Sequence, residues 1–172
     1  EADNRAILRK AMASTEVEVF QDAIAGRKLC VLLDDGTRDV PLDDIFEQLF
    51  SALRTSSFVR FLICTGTHEP ATPQNDKITA QIKMAAAKAG IGNYEIHTHD
   101  CEHAEFAVLG ATSRGTEITC NVLADDADVF LVLSDVKVHY FAGYSNPIKN
   151  FVPGICAFRT TEQNHSLALD DT

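Results

Sequence analysis

Three short apolar runs, each closed by a polar loop, constrain this chain more than any other feature. LCVLL at 29–33 runs into DDGTR, FVRFLIC at 58–64 into TGTHEP, and VFLVL at 129–133 into SDVKVHYFAGYSNPIK. A run this short with little polar alternation reads as a strand buried on both faces, as in the middle of a parallel sheet. The segments between them carry helical spacing. Residues 3–25 predict helix with a break near Ser14, and apolar residues at 42, 45, 46, 49, 50 and 53 predict helix over Leu42–Leu53. Gln74–Ala89 is an Ala-rich helix stopped by Gly90, while Tyr94–His97 and Thr116–Val122 read as further strands. Alternating strands and helices predict an α/β fold with a mainly parallel sheet. In such sheets ligands bind beyond the carboxyl ends of the strands, where the polar motifs of this chain fall.

The length of 172 residues suffices for one domain with a core of its own. No apolar run approaches the ~18 residues needed to span a bilayer, so no membrane association is expected. The net charge of −10 disfavours nucleic acid and anionic membrane as partners. It leaves room for a small anion held by a few local basic groups. Five cysteines form no CxxC pair, and Cys30, Cys64 and Cys120 sit in apolar runs as small hydrophobes. A reducing cytoplasm is the compartment this usage fits. No signal peptide is visible, the first residue is not Met, and the sequence closes on Leu169–Thr172 just after a helical start. A further domain is therefore expected beyond residues 1–172.

The polar loops carry the candidate chemistry. In DDGTR, Asp35 and Arg38 flank a glycine turn, and the Arg fork suits a carboxylate or phosphate, although turn chemistry alone explains Asp and Gly. In TGTHEP, His68 stands at a strand end, where an imidazole can act as a general base or merely cap a loop. IHTHDCEH offers His97, His99 and His103, but its spacing completes no zinc signature. His99 and Asp100 are expected to line the crevice. Lys149 lies ten residues after His139 and sixteen before His165, between the apolar flanks VHYFAGY and FVPGICAF. A lysine so placed has its charged form disfavoured and gains nucleophilic character.

Five separated motifs in order resemble the lactate racemase family, whose members carry a nickel-pincer nucleotide. They are DDGTR, GTHEPAT, His99-Asp100 with GATSRGT, HYFAGYSNPIK, and PGICAF followed by Asn164-His165. The resemblance implies a Rossmann-like three-layer fold and makes residues 1–172 the amino-terminal, cofactor-binding domain, the carboxyl-terminal domain lying outside this chain. It implies that Lys149 links covalently to the cofactor, a pyridinium-3,5-bisthiocarboxylic acid mononucleotide, and that His165 donates a nitrogen to Ni2+. Gly143 and Ser145 join Lys149 as cofactor-binding residues. His68 and His139 become the two catalytic bases, Arg38 a contact to the substrate carboxylate, and Asp35 a neighbouring substrate-site acid. The implied activity is a racemase or epimerase of a 2-hydroxy acid, working by reversible hydride transfer, with cofactor-biosynthesis proteins as partners and the isolated domain inactive. The chain departs from the family pattern at Asn146-Pro147, where two glycines are usual, and at Glu69, where Arg is common.

Two rival readings stay open on the residues. One is a non-catalytic nucleotide- or metal-binding α/β domain. The other is a hydrolase using a metal held by His97, His99 and His103.

Overall fold

The computed structural model describes residues 3–13, 15–139 and 143–170. Two helices open the chain, α1 (Asn4–Met12) and α2 (Thr15–Ile24), as the sequence predicts; the expected break at Ser14 lies outside the described residues. There follow β1 (Lys28–Asp34), α3 (Leu42–Leu53), β2 (Phe58–Cys64), α4 (Pro73–Ala89) and β3 (Tyr94–Thr98). Next come β4 (Phe106–Ala111), β5 (Glu117–Asn121), a single 3-10 turn at Val122–Ala124 and β6 (Val129–Leu133). Two short strands, β7 (Val138–His139) and β8 (Gly143–Tyr144), precede α5 (Ile148–Phe151) and α6 (Phe158–Asp170).

The unbroken apolar runs have a direct structural cause. β1 is one of two interior strands, with β2, of a parallel sheet ordered β3-β2-β1-β6. Its alternate side chains go to opposite faces, and both faces are covered. Leu29, Val31 and Leu33 join Phe61 and Ile63 of β2 in the core beneath α3 and α4, whereas Cys30 and Leu32 join Leu62, Cys64 and Ile155 on the other side. Under the helices, Phe50 stacks on Phe61 with ring centroids 5.4 Å apart, and Phe46 and Tyr94 extend the aromatic cluster. Each fully buried side chain of this size contributes roughly 1.5–3 kcal/mol. α4 is delimited by local chemistry. Thr72 Oγ1 accepts from Asn75 N (3.2 Å), Pro73 occupies the first turn, and Gly90 follows the last.

The α/β architecture and mainly parallel sheet are as expected. The second covering layer differs in kind from the first, because the hydrophobic residues packed there come, among the described residues, from short segments. It consists of the Val122–Ala124 turn, Phe151 of α5 and the Ile155 loop. The strand expected at Thr116–Val122 forms as β5 but stays out of the main sheet, pairing antiparallel with β4 instead. β4 was not foreseen, because its outer residues Val108 and Leu109 are exposed and give no buried-strand pattern.

This topology fixes the place of a ligand. The chain moves from β1 outward through β2 and β3, then returns across the sheet to set β6 on the opposite side of β1. The loops after β1 and β6 diverge at that reversal, leaving a crevice at the carboxyl ends of the strands.

Candidate functional site

The crevice is a cavity of about 170 Å³. The loop after β1 supplies Asp34, Asp35 and Arg38, and the loop after β2 supplies Thr65 to His68. The segment after β6 supplies Ser134, Asp135 and His139, then Ser145, Asn146, Lys149 and Asn150. α6 closes one side with Thr161 and His165. Seven of the eight residues to which the resemblance gives a role thus meet here. The eighth, Gly143, stands opposite His139 in the antiparallel β7–β8 pair and is not part of the wall.

Asp34 is the hub that sequence reading missed. Its Oδ2 accepts from Asp135 N (2.9 Å), and its Oδ1 accepts from Asn150 Nδ2 (3.0 Å). One half-buried strand end therefore ties the β6 loop and α5 to β1. The turn reading of DDGTR concerns Asp35, and no reading singles out the first Asp, so only the fold gives it this role. Gly36 of the same motif is fixed by space. A Cβ there would lie 2.2 Å from Gln74 Cβ, while Gly36 N donates to Asn75 Oδ1 (2.9 Å). Gly154 has the same reason, since a Cβ would lie 2.5 Å from Asn150 O. Its carbonyl accepts from Gly66 N (3.0 Å), joining the TGTHEP and PGICAF motifs.

Asp35 is 4% exposed and fully engaged. Its Oδ1 accepts from Thr37 N (3.2 Å) and Thr37 Oγ1 (2.6 Å), and its Oδ2 lies 2.8 Å from His68 Nδ1. An ionised carboxylate only accepts, so Nδ1 carries the proton and Nε2 is left with the lone pair. This is the geometry of a base oriented by an acid.

Lys149, His139, Arg38 and His165 share one electrostatic environment. Burial lowers the Lys149 ammonium below its usual range, the Arg38 charge lowers it further, and Asp34 opposes the shift. His165 is lowered by burial and then by Lys149. His139 is lowered by desolvation, then by Lys149, Arg38 and His165. Each shift favours the neutral form, in which an amine is a nucleophile and an imidazole a metal ligand or base. Cys64 also lines the crevice, but burial pushes its thiol strongly up, so it stays a protonated hydrophobe.

The Asn146-Pro147 departure has a local explanation. Asn146 Oδ1 accepts from Ile148 N (2.9 Å) and Asn146 O accepts from Lys149 N (2.9 Å), so this dipeptide starts α5. Pro147 has no N–H, and those of Ile148 and Lys149 are taken. Backbone donors here are committed to holding Lys149 in place. Ser145 Oγ likewise accepts from Lys137 N (2.8 Å) and lies 3.3 Å from Asp135 O.

The IHTHDCEH cluster is corrected. His99 does not line the crevice but is fully buried, with Nε2 donating to Cys156 O (3.0 Å) and Nδ1 accepting from Asn121 Nδ2 (3.1 Å). Asp100 borders a different surface hollow and engages His103, and His97 turns to Glu95. Among the described residues no group of three His, Cys, Asp or Glu side chains could hold a metal ion. The His97–His99–His103 metal site has no geometric basis, because His99 spends both ring nitrogens on the fold.

Comparison with known proteins bears on the family and the fold. A family model described as the lactate racemase N-terminal domain matches residues 1–172. Lactate racemase from Thermoanaerobacterium thermosaccharolyticum is 29% identical over 151 residues, covering 85% of this chain and 34% of that protein. Lactate racemase from Lactiplantibacillus plantarum is 28% identical over 142 residues, covering 80% of this chain and 32% of that protein. The solved lactate racemase apoprotein from T. thermosaccharolyticum superposes with a TM-score of 0.74 at 25% identity, over 94% of this chain and 39% of that one. The chain thus spans about a third of the length of the curated relatives it matches.

Proposed function

The chain belongs to the lactate racemase N-terminal domain family, and from that premise we propose that it is the cofactor-binding, base-bearing part of a racemase or epimerase of a 2-hydroxy acid. The observation that carries the reading is the meeting of Lys149, His165, Arg38, His139 and the His68–Asp35 pair in one crevice.

The donor set fits a nickel-pincer nucleotide. Lys149, biased toward the neutral amine, is suited to a covalent link with a carboxyl-derived group. His165, biased toward neutral imidazole, offers one nitrogen to a Ni(II) whose remaining donors come from the organic group. A single protein ligand of this kind needs no cluster of metal-binding side chains. When bound, the cofactor supplies an acceptor for the hydride of the substrate's carbon.

The protein's own residues do the rest. Arg38 offers a fork for the substrate carboxylate, fixing two of the substrate's atoms while its central carbon changes. His68, with Nδ1–H held by Asp35, takes the hydroxyl proton at Nε2. His139, biased toward its neutral form, serves the enantiomer presented from the other side. With a base on each side of the planar keto acid, its oxygen can regain the proton whichever face of the carbon regains hydride, which is what inversion requires.

The test is intact mass after co-expression with the enzymes that make the cofactor. The expected result is a cofactor-sized increase that Lys149→Ala abolishes and Lys137→Ala keeps. An adduct that persists in Lys149→Ala sinks the anchor assignment. Mononucleotide binding without any adduct would favour a non-catalytic binding domain.

A further inference from the structure

Cys120 on β5 and Cys156 just before α6 are opposed in an antiparallel bridge, both free, with their Sγ atoms 3.3 Å apart. The flanking backbone fixes the kind of bridge. Asn121 N donates to Ile155 O and Ala157 N donates to Thr119 O (both 2.9 Å), so the hydrogen bonds lie on either side of the cysteines and not between them. Residues opposed in this way have Cα atoms about 4.5 Å apart, inside the roughly 4.4–6.8 Å that disulfides span. The hydrogen bond between the thiols lowers Cys120 below the usual thiol range, whereas that bond and burial push Cys156 up. Phe151 O, 3.2 Å from Cys156 Sγ, is a second acceptor for the Cys156 proton. Burial pushes the thiols of Cys30, Cys64 and Cys101 up as well, so Cys120 is the natural first nucleophile.

We propose that Cys120 and Cys156 are an oxidisable dithiol that closes to a disulfide, with a peroxide as the oxidant. Cys120 keeps 7% of its surface and Cys156 none, so the reaction starts when the β4–β5 ribbon lifts from the loop before α6. That ribbon is two strands outside the main sheet, and such a pair opens more readily than the sheet itself. The Cys120 thiolate attacks one peroxide oxygen, the O–O bond breaks, and the departing hydroxide takes a proton to become water. Cys120 is left as a sulfenic acid. When the ribbon settles back, the Cys156 sulfur attacks that of Cys120, and the displaced hydroxide leaves with the Cys156 proton as a second water. Two thiols are thereby oxidised and one peroxide is reduced. The new bond closes a ring over residues 120–156. The ring holds β6, His139 and α5 with Lys149, which is the wall of the crevice that follows β6. Oxidation thus ties the two ends of that wall together.

The test exposes the reduced 172-residue chain to hydrogen peroxide under native conditions, then alkylates it in denaturant. Intact mass should show three alkylated cysteines in place of five, and a peptide map should show Cys120 linked to Cys156. Dithiothreitol should restore all five. The closed form should melt roughly 4–16 °C above the reduced one. Cys101→Ser should still close, and in Cys156→Ser dimedone should trap a sulfenic acid at Cys120. Five alkylated cysteines in the parent after peroxide, or a link through any other cysteine, would overturn the pair. Trapping at Cys156 in Cys120→Ser, with none at Cys120 in Cys156→Ser, would overturn the order of attack. A closed form that melts no higher than the reduced one would overturn the tethering of the wall.

Discussion

At the scale of single residues, the proposed reaction separates groups that would carry it from groups that would aim them. Asp35 is nearly inaccessible and its oxygens are occupied by Thr37 and His68, so its contribution passes through the imidazole. Asp35→Asn should keep the fold and its Thr37 contacts but release the tautomer of His68. In a full-length protein carrying these residues, it should lower kcat by about 10²–10⁴-fold. The same variant should show mixed Nδ1–H and Nε2–H tautomers in its ¹⁵N histidine shifts. A wild-type tautomer pattern together with unchanged kcat would remove Asp35 from the machinery. The two bases make a second prediction. His68→Ala and His139→Ala should each abolish racemisation in both directions, yet each should still allow the half-reaction of one enantiomer, a different one in each variant. Identical behaviour toward both enantiomers would leave one of these histidines with no role as a base.

At the scale of elements, the site is held by polar ties between segments remote in sequence. Asp34 joins β1 to the β6 loop and to α5, and His99 joins the end of β3 to β5 and to the loop before α6. These ties set where Lys149 and His165 stand. His99→Leu leaves Asn121 Nδ2 and Cys156 O buried without that partner, at roughly 1–3 kcal/mol each. We therefore expect a loss of about 2–4 kcal/mol in urea unfolding, with the nickel binding proposed for His165 weakened through misplacement. Stability within ~0.5 kcal/mol of the parent would mean that His99 is not the tie described here. The sequence pattern could not distinguish this histidine from a ligand, because both roles put an imidazole at a strand end. Burial on all sides, with a carbonyl and an amide at the two nitrogens, decides it.

At the scale of the whole molecule, the buried His99 couples stability to pH. Desolvation pushes its folded value below the ordinary histidine range, with the Cys156 carbonyl and Asp100 opposing. The unfolded chain takes up a proton near pH ~6.5, which the folded chain resists. The contribution is thus fully present above the unfolded value and is lost as pH falls through the folded one. The urea midpoint should fall between about pH 7 and pH 5, and His99→Leu should flatten that slope while starting from a lower midpoint. An equal slope in parent and variant would assign the acid sensitivity to other groups. The acidic surface, at a net charge of −10, loses charge only as its carboxylates protonate at still lower pH.

The sequence by itself determined the elements whose signal is local. The buried strands announced themselves because both faces of β1 and β2 are covered, the helix over Leu42–Leu53 by its 3.6-residue spacing, and the end of α4 by Gly90. It also marked the segments that hold Asp35, Arg38, His68, His139, Lys149 and His165, through the order of the motifs and the resemblance they carry. Tertiary structure decided what depends on pairing and enclosure. β5 left the main sheet for β4, His99 became a structural tie, and Asp34 became a hub. The physical reason is range: spacing and turn chemistry act over a few residues and are written in order along the chain. A buried polar atom acquires its meaning from partners that are, for Asp34 and Asn150, 116 residues away.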